Sequence, residues 1–102
     1  MASDAAVFRA LADPTRRQIL QELKAGELAA GEIAGRFPIS GPSISRHLAI
    51  LKAAGLVHER RHGNRILYRQ DADRLTGTIN DFVSAVCPAQ IGLRRRARRL
   101  TR

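Results

Sequence analysis

One segment constrains this chain more than any other: Ile39-Ser-Gly-Pro-Ser-Ile-Ser-Arg-His-Leu-Ala-Ile-Leu-Lys-Ala-Ala-Gly-Leu56. It predicts a capped helix over residues 41–54, with an apolar seam on one side and short polar groups on the other. Ser40 suits the N-cap, where a hydroxyl satisfies an orphan backbone N–H, and Pro42 suits the first turn, where a missing N–H does no harm. Gly55 falls where a left-handed residue closes a helix. Ile44, Leu48 and Leu51 recur at i, i+4 and i+7 and so share a face. Ser43, Ser45 and Arg46 point away from that face, close to the helix N-terminus. A helix built in this way can lie on a core and still offer its N-terminal end to the major groove of DNA.

Around it the pattern predicts a mainly α chain with one small β-hairpin, in the order α-α-α-α-β-β-α. The first helix covers residues 4–12, with Val7, Phe8 and Leu11 as its stripe. Asp13-Pro14 restarts the chain as an N-cap and a first-turn proline, and a second helix runs to Ala25 with Ile19, Leu20 and Leu23 inward. A third, short helix is expected from Leu28 to Phe37. Pro38-Ile39-Ser40 joins it tightly to the helix of 41–54, and the pair makes a helix-turn-helix. After Gly55 the periodicity becomes that of strands, Leu56–Arg61 and Arg65–Arg69, with His62-Gly63-Asn64 as turn chemistry. A hairpin in that place is a wing. The last helix covers Asp71 to Val86, with Asp71 or Asp73 at its start and Leu75, Ile79, Phe82, Val83 and Val86 on one face. Residues 1–87 are thus expected to form one winged helix-turn-helix domain, and residues 88–102 an arginine-rich, flexible tail.

A chain of 102 residues holds one domain with a modest core, and with three Phe, one Tyr and no Trp that core must be aliphatic. The terminal helices, at about 4–12 and 71–87, carry more apolar surface than so small a core can cover. The expectation is a twofold homodimer that buries Val7, Phe8 and Leu11 with Leu75, Ile79, Phe82, Val83 and Val86. Its two recognition helices would lie about 34–36 Å apart, one turn of duplex. The net charge is +9, and residues 94–102 hold six Arg and no acid. Such a balance points to a polyanionic partner, nucleic acid before an anionic membrane, and with the helix-turn-helix the expected partner is double-stranded DNA. The lone Cys87 excludes an intramolecular disulfide framework. Beside Pro88 it is either a redox-sensitive thiol or a small residue closing a helix. No secretory pattern and no run of about 18 apolar residues occurs, so a cytoplasmic protein without a membrane span is expected. No paired carboxylates, nucleophile–base spacing or phosphate-binding glycine loop stands out, which argues against an enzyme. No cofactor is implied.

Three separated motifs carry a resemblance. Phe8-Arg-Ala-Leu-Ala-Asp-Pro-Thr-Arg-Arg-Gln-Ile-Leu20, Ser43-Ile-Ser-Arg-His-Leu-Ala-Ile-Leu-Lys-Ala-Ala-Gly-Leu-Val57 and Arg61-His-Gly-Asn-Arg-Ile-Leu-Tyr68 resemble the opening, recognition helix and wing of ArsR/SmtB-type winged-helix repressors. The likeness spans about residues 5–83. It implies a homodimeric repressor, joined through its first and last helices, that occupies a short inverted repeat near its own promoter. Metal-sensing members carry a Cys-x-Cys pair at the start of the third helix, where this chain has Ala29 and Gly31. Their other common site uses acidic and His residues of the last helix, and residues 71–87 contain no His. The chain therefore resembles the SdpR-like branch without these metal motifs, and no inducer is carried over.

The candidate DNA-binding residues are Ser40, Ser43, Ser45, Arg46, His47, Arg60, Arg61 and Arg65. Arg46 is the expected base reader, because a guanidinium pairs bidentately with guanine. His47 lies close to the apolar seam in angle, and either touches a phosphate or packs at the edge of the core. The wing arginines are expected at phosphates or in the minor groove, where they set affinity more than sequence preference. Ser40 suits a cap better than a base contact, and Thr15 suits a first turn. Arg16 and Arg17 either reach phosphates or form a solvated face. His58 and His62, four apart on a strand, face one way and are the candidates for a metal, with His47 or a symmetry mate to help. Two imidazoles make a poor site, since stable ones take three or four ligands. Two other readings stay open: a repressor switched by a metal ion or a protein partner, and a general nucleic-acid-binding module driven by the basic tail.

Overall fold

The computed structural model describes residues 3–88. Helices α1 (Asp4–Leu11) and α2 (Pro14–Glu22) lead through a 3₁₀ turn at Leu23–Ala25 to a short strand β1 (Leu28–Ala29). Helices α3 (Ala30–Ala34) and α4 (Gly41–Ala53) follow, then strands β2 (Val57–His62) and β3 (Arg65–Gln70), and last α5 (Ala72–Val86). The three strands form one antiparallel sheet in the order β1-β3-β2. The expected arginine-rich segment 94–102 lies outside the described residues.

Each boundary has a local cause. Asp13 caps α2 by accepting the N–H groups of Thr15 at 2.8 Å and Arg16 at 3.2 Å. Ser40 Oγ accepts the Ser43 N–H at 3.2 Å and so starts α4. At the other end Gly55 takes φ +78°, and the N–H groups of Leu56 and Gly55 return to the carbonyls of Leu51 at 3.0 Å and Lys52 at 2.9 Å. That pair of bonds is the Schellman closure, which needs a residue free to adopt positive φ. Asp71, rather than Asp73, caps α5 by accepting the Arg74 N–H at 2.9 Å.

Two expectations are corrected in this region. Leu28 and Ala29 are not helical: they pair with Tyr68 and Leu67 and widen the hairpin into a sheet. The helix begins only after them, where Glu32 reaches back to accept the Ala29 N–H at 2.9 Å. His62 belongs to the β2 ladder opposite Arg65, not to the turn. The turn needs just Gly63 and Asn64, because Gly63 at φ +64° supplies the backbone twist of a two-residue hairpin loop.

The core is aliphatic, as the composition requires. Val7 and Ala10 of α1, Ile19 and Leu20 of α2, Ile33 of α3 and Ile44, Leu48 and Leu51 of α4 are buried, together with Leu56 and Val57 at the foot of the wing. The wing is fastened at that foot: the Asp71 N–H donates to the Leu56 carbonyl and Gln70 Nε2 to the Leu20 carbonyl, each at 2.8 Å. Val7, expected at a dimer face, is 0% exposed within the single protomer and cannot touch a partner. Helix α1 turns Val7 and Ala10, three apart, inward and leaves Phe8 outside. Replacing Gly55 with Ala should destabilise the fold by about 1–3 kcal/mol, the strain of a side chain in the left-handed region. A lower urea midpoint at unchanged slope is the expected readout.

Candidate nucleic-acid interface

The rotation of α4 is fixed by what it buries. Ile44, Leu48 and Leu51 pack where α1, α2 and α3 all meet α4. Ser45, Arg46, Ala49, Ile50 and Ala53 are therefore exposed, and Ser43 and His47 stand half-buried at the margin. Arg46 makes no ion pair with any described residue, so its five donors face solvent. The Ser40 hydroxyl donates to Ser43 Oγ at 3.0 Å, which joins two of the candidate contacts across the first turn.

His47 sits at a junction that the sequence did not disclose. Its Nδ1 lies 3.3 Å from Arg16 Nη1. A guanidinium only donates, so the contact requires neutral imidazole with the proton on Nε2, which is left as a donor. The same Arg16 donates through Nε to the Ala10 carbonyl at 2.8 Å and through Nη2 to the Arg9 carbonyl at 3.1 Å. Arg17 Nη1 donates to the Leu11 carbonyl at 2.7 Å. Both guanidiniums thus donate to carbonyls of the last turn of α1, with Arg17 exposed and Arg16 half-buried. The usable signal was position, two cations just after a short helix whose C-terminal carbonyls attract them.

The wing arginines are not equivalent. Cross-strand partners share a face, so His58, Arg60 and His62 lie on one side with Arg69, Leu67 and Arg65, and Arg61 lies on the other with Ile66. Arg60 grips Glu27 bidentately, with both bonds at 2.8 Å, and Arg65 Nη2 meets Glu32 at 3.0 Å. The Arg60 guanidinium holds the Glu27 carboxyl below its ordinary 4.5. Arg61 is exposed and makes no ion pair with a described residue. Lys52, in the last turn of α4, pairs with Glu59 of β2, which ties the helix to the wing.

The histidines do not converge. His58 and His62 are four residues apart on β2, about 13 Å along a strand, too far to share an ion. His58 Nε2 lies 2.7 Å from Asp71 Oδ2 instead. Among the described residues no three His, Cys, Asp or Glu side chains form a group able to hold a metal. Cys87 is exposed at the end of α5.

A second surface is apolar. Phe8 of α1 meets Phe82 of α5 edge to face, with ring centroids 5.2 Å apart. Phe82, Val83 and Val86 are 49, 45 and 60% exposed. Ile79 is half-buried, and Leu11 and Leu75 pack partly against the protomer's own core. Among the described residues no helix is long and apolar enough to cross a membrane.

Comparison with known proteins agrees with this geometry. A family model described as "Helix-turn-helix domain" matches residues 11–60. Transcriptional repressor SdpR of Bacillus subtilis is 50% identical over 74 residues, which are 72% of this chain and 82% of that protein. HTH-type transcriptional regulator Rv2034 of Mycobacterium tuberculosis is 45% identical over 75 residues, 74% of this chain and 70% of that one. The chain belongs to the ArsR/SmtB family. An ArsR-like transcriptional regulator from Rhodococcus sp. RHA1 superposes with a TM-score of 0.72 at 37% identity, over 96% of this chain and 86% of that one. As a member of this family the chain is a DNA-binding transcriptional regulator of the repressor class and not an enzyme.

The Asp71–His58 contact gives the ArsR/SmtB scaffold a measurable pH dependence. The Asp71 carboxyl is held below its ordinary 3.8, first by the His58 hydrogen bond and then by the Arg74 N–H. A lowered carboxyl pKa stabilises the fold above the ordinary value, and that contribution is lost as pH falls through the folded-state value. Asn caps helices as well as Asp. Asp71→Asn should therefore lower the urea midpoint at about pH 6, and the gap from wild type should shrink at about pH 3. An equal gap at both pH values would contradict the assignment.

Proposed function

We propose that the chain acts in the cytoplasm as a homodimeric repressor, covering a promoter by occupying an inverted-repeat operator in double-stranded DNA. One observation carries this reading: α4 is locked to the core along one side and on the other presents an exposed Arg46 that pairs with no described residue, flanked by small hydroxyls. Arg46 pairs with a guanine edge in the major groove. Ser43 and Ser45 sit close enough to the helix N-terminus to accompany it, and Ser40 serves chiefly as the cap. His47 offers Nε2–H to a phosphate while Arg16 holds its other nitrogen. On the wing the exposed Arg61, which pairs with no described residue, meets a phosphate directly. Arg60 and Arg65 do so by exchanging the carboxylates of Glu27 and Glu32 for phosphate oxygens. Residues 1–87 are the working domain in this reading, and residues 88–102 add attraction without sequence preference.

The dimer follows from the apolar surface of α1 and α5. A contiguous patch that includes Phe8, Phe82, Val83 and Val86 calls for cover, and a twofold contact supplies it from the same patch on a second copy. Two recognition helices then meet successive turns of one DNA face.

Gel-shift titration against the DNA upstream of the chain's own gene, with scrambled competitor, tests the whole reading. Equal affinity for both duplexes would mean that positive charge alone holds DNA. Arg46→Ala should cost about 1–3 kcal/mol of operator binding and relax preference at one base pair. Arg61→Ala should instead weaken all sequences alike and reduce the salt slope by about one. Phe82→Asp should leave helix content intact and shift the protein to monomer in sedimentation, with operator binding lost. A dimeric Phe82→Asp protein would place the interface elsewhere.

A further inference from the structure

The outward strip of α4 changes character along its length. Ser43 and Arg46 stand near its start, and beyond them Ala49, Ile50 and Ala53 are all exposed. Ile50 is 38% exposed and lies four residues after Arg46, on the same stripe. The other large exposed apolar side chains have ordinary explanations. Phe8, Phe82, Val83 and Val86 belong to the α1–α5 surface. Ile39 precedes the N-cap Ser40, the place of a hydrophobic staple. Ile50 has neither explanation. Lys52, the nearby cation, is turned to Glu59. A helix pressed to DNA by phosphate attraction alone would gain from cations here. This one carries two alanines, which permit close approach, and a β-branched side chain that is stiff at χ1.

The major-groove group that an aliphatic side chain can recognise is the C5 methyl of thymine. We propose that Ile50 is a specificity-determining residue that reads a thymine methyl beside the guanine read by Arg46. The proposal rests on the assignment of α4 to the major groove and adds a base to it. Four residues span about 6 Å along a helix. One base pair rises about 3.4 Å. The thymine therefore lies within about two base pairs of the guanine.

The test uses the full chain and duplexes that it selects from a random pool. Each thymine near the Arg46-dependent guanine is replaced singly by deoxyuridine, which lacks only the methyl. One such replacement should weaken wild-type binding about fourfold, the worth of one buried methyl. Ile50→Ala, whose unfolding midpoint is checked first, should bind the thymine and deoxyuridine duplexes equally. Wild-type indifference to deoxyuridine at every position overturns the proposal and leaves the guanine reading intact. So does an Ile50→Ala protein that keeps the full deoxyuridine penalty. A pool that yields no preferred sequence, or unaltered selection by Arg46→Ala, overturns the major-groove assignment and this proposal with it.

Discussion

The buried seam of α4 governs the molecule. Ile44, Leu48 and Leu51 are nearly inaccessible to solvent and meet three other helices at once. Rotating the helix by one residue would pull an aliphatic side chain into water and drive Ser45 and Lys52, or Ser43 and His47, toward the core, where an unpaired polar group is strongly disfavoured. The outward face is therefore set by the inward one. Its start and finish are equally fixed, by Ser40 at one end and by the Gly55 closure at the other. Arg16 adds a second restraint. One guanidinium closes the end of α1 and touches His47, so the margin of the recognition surface is held by the chain's first helical corner.

The wing obeys a different logic. Its fastening at the foot is buried and hydrogen-bonded, whereas its flank is held by exposed ion pairs, Arg60 with Glu27 and Arg65 with Glu32. Exposed pairs contribute little net stability, because water solvates the separated charges almost as well. They do confer geometry, since a carboxylate and a phosphate present similar paired oxygens to a guanidinium. In the structure the two acids fix where these guanidiniums sit, Arg60 beside Glu27 and Arg65 beside Glu32. Removing them is easy in salt water and easier beside a polyanion.

How much of this could be read from the chain depended on whether local signals agreed. In α4 the cap, the seam and Gly55 all gave one answer, and the observed bounds differ by a single residue. The hairpin was legible from Gly63-Asn64 for the same reason. The strand β1 was not, because two residues have no period and their partners, Leu67 and Tyr68, are far along the chain. Leu28 could equally begin the spacing of a helix. Val7 and Phe8 are neighbours on one stripe, and nothing local says where the protomer's core stops and open surface begins. Arg60 and Glu27 are 33 residues apart, so their pairing follows from the sheet and not from either segment alone. Of the candidate interface, residue types and helix face were readable, and the partners that restrain each side chain were not.

Asp71 has two attachments whose combination matters. One carboxylate oxygen accepts the first-turn N–H of α5 and the other meets His58 on the wing. One side chain thus links the helix with the open apolar face to the strand with the basic edge. In the proposed dimer, the angle at which two α5 helices cross would be transmitted through this pin to both hairpins. The span between wing tips would then be a property of the subunit contact rather than of the wing itself. A signal acting on the assembly could retune its grip on a duplex without approaching either groove.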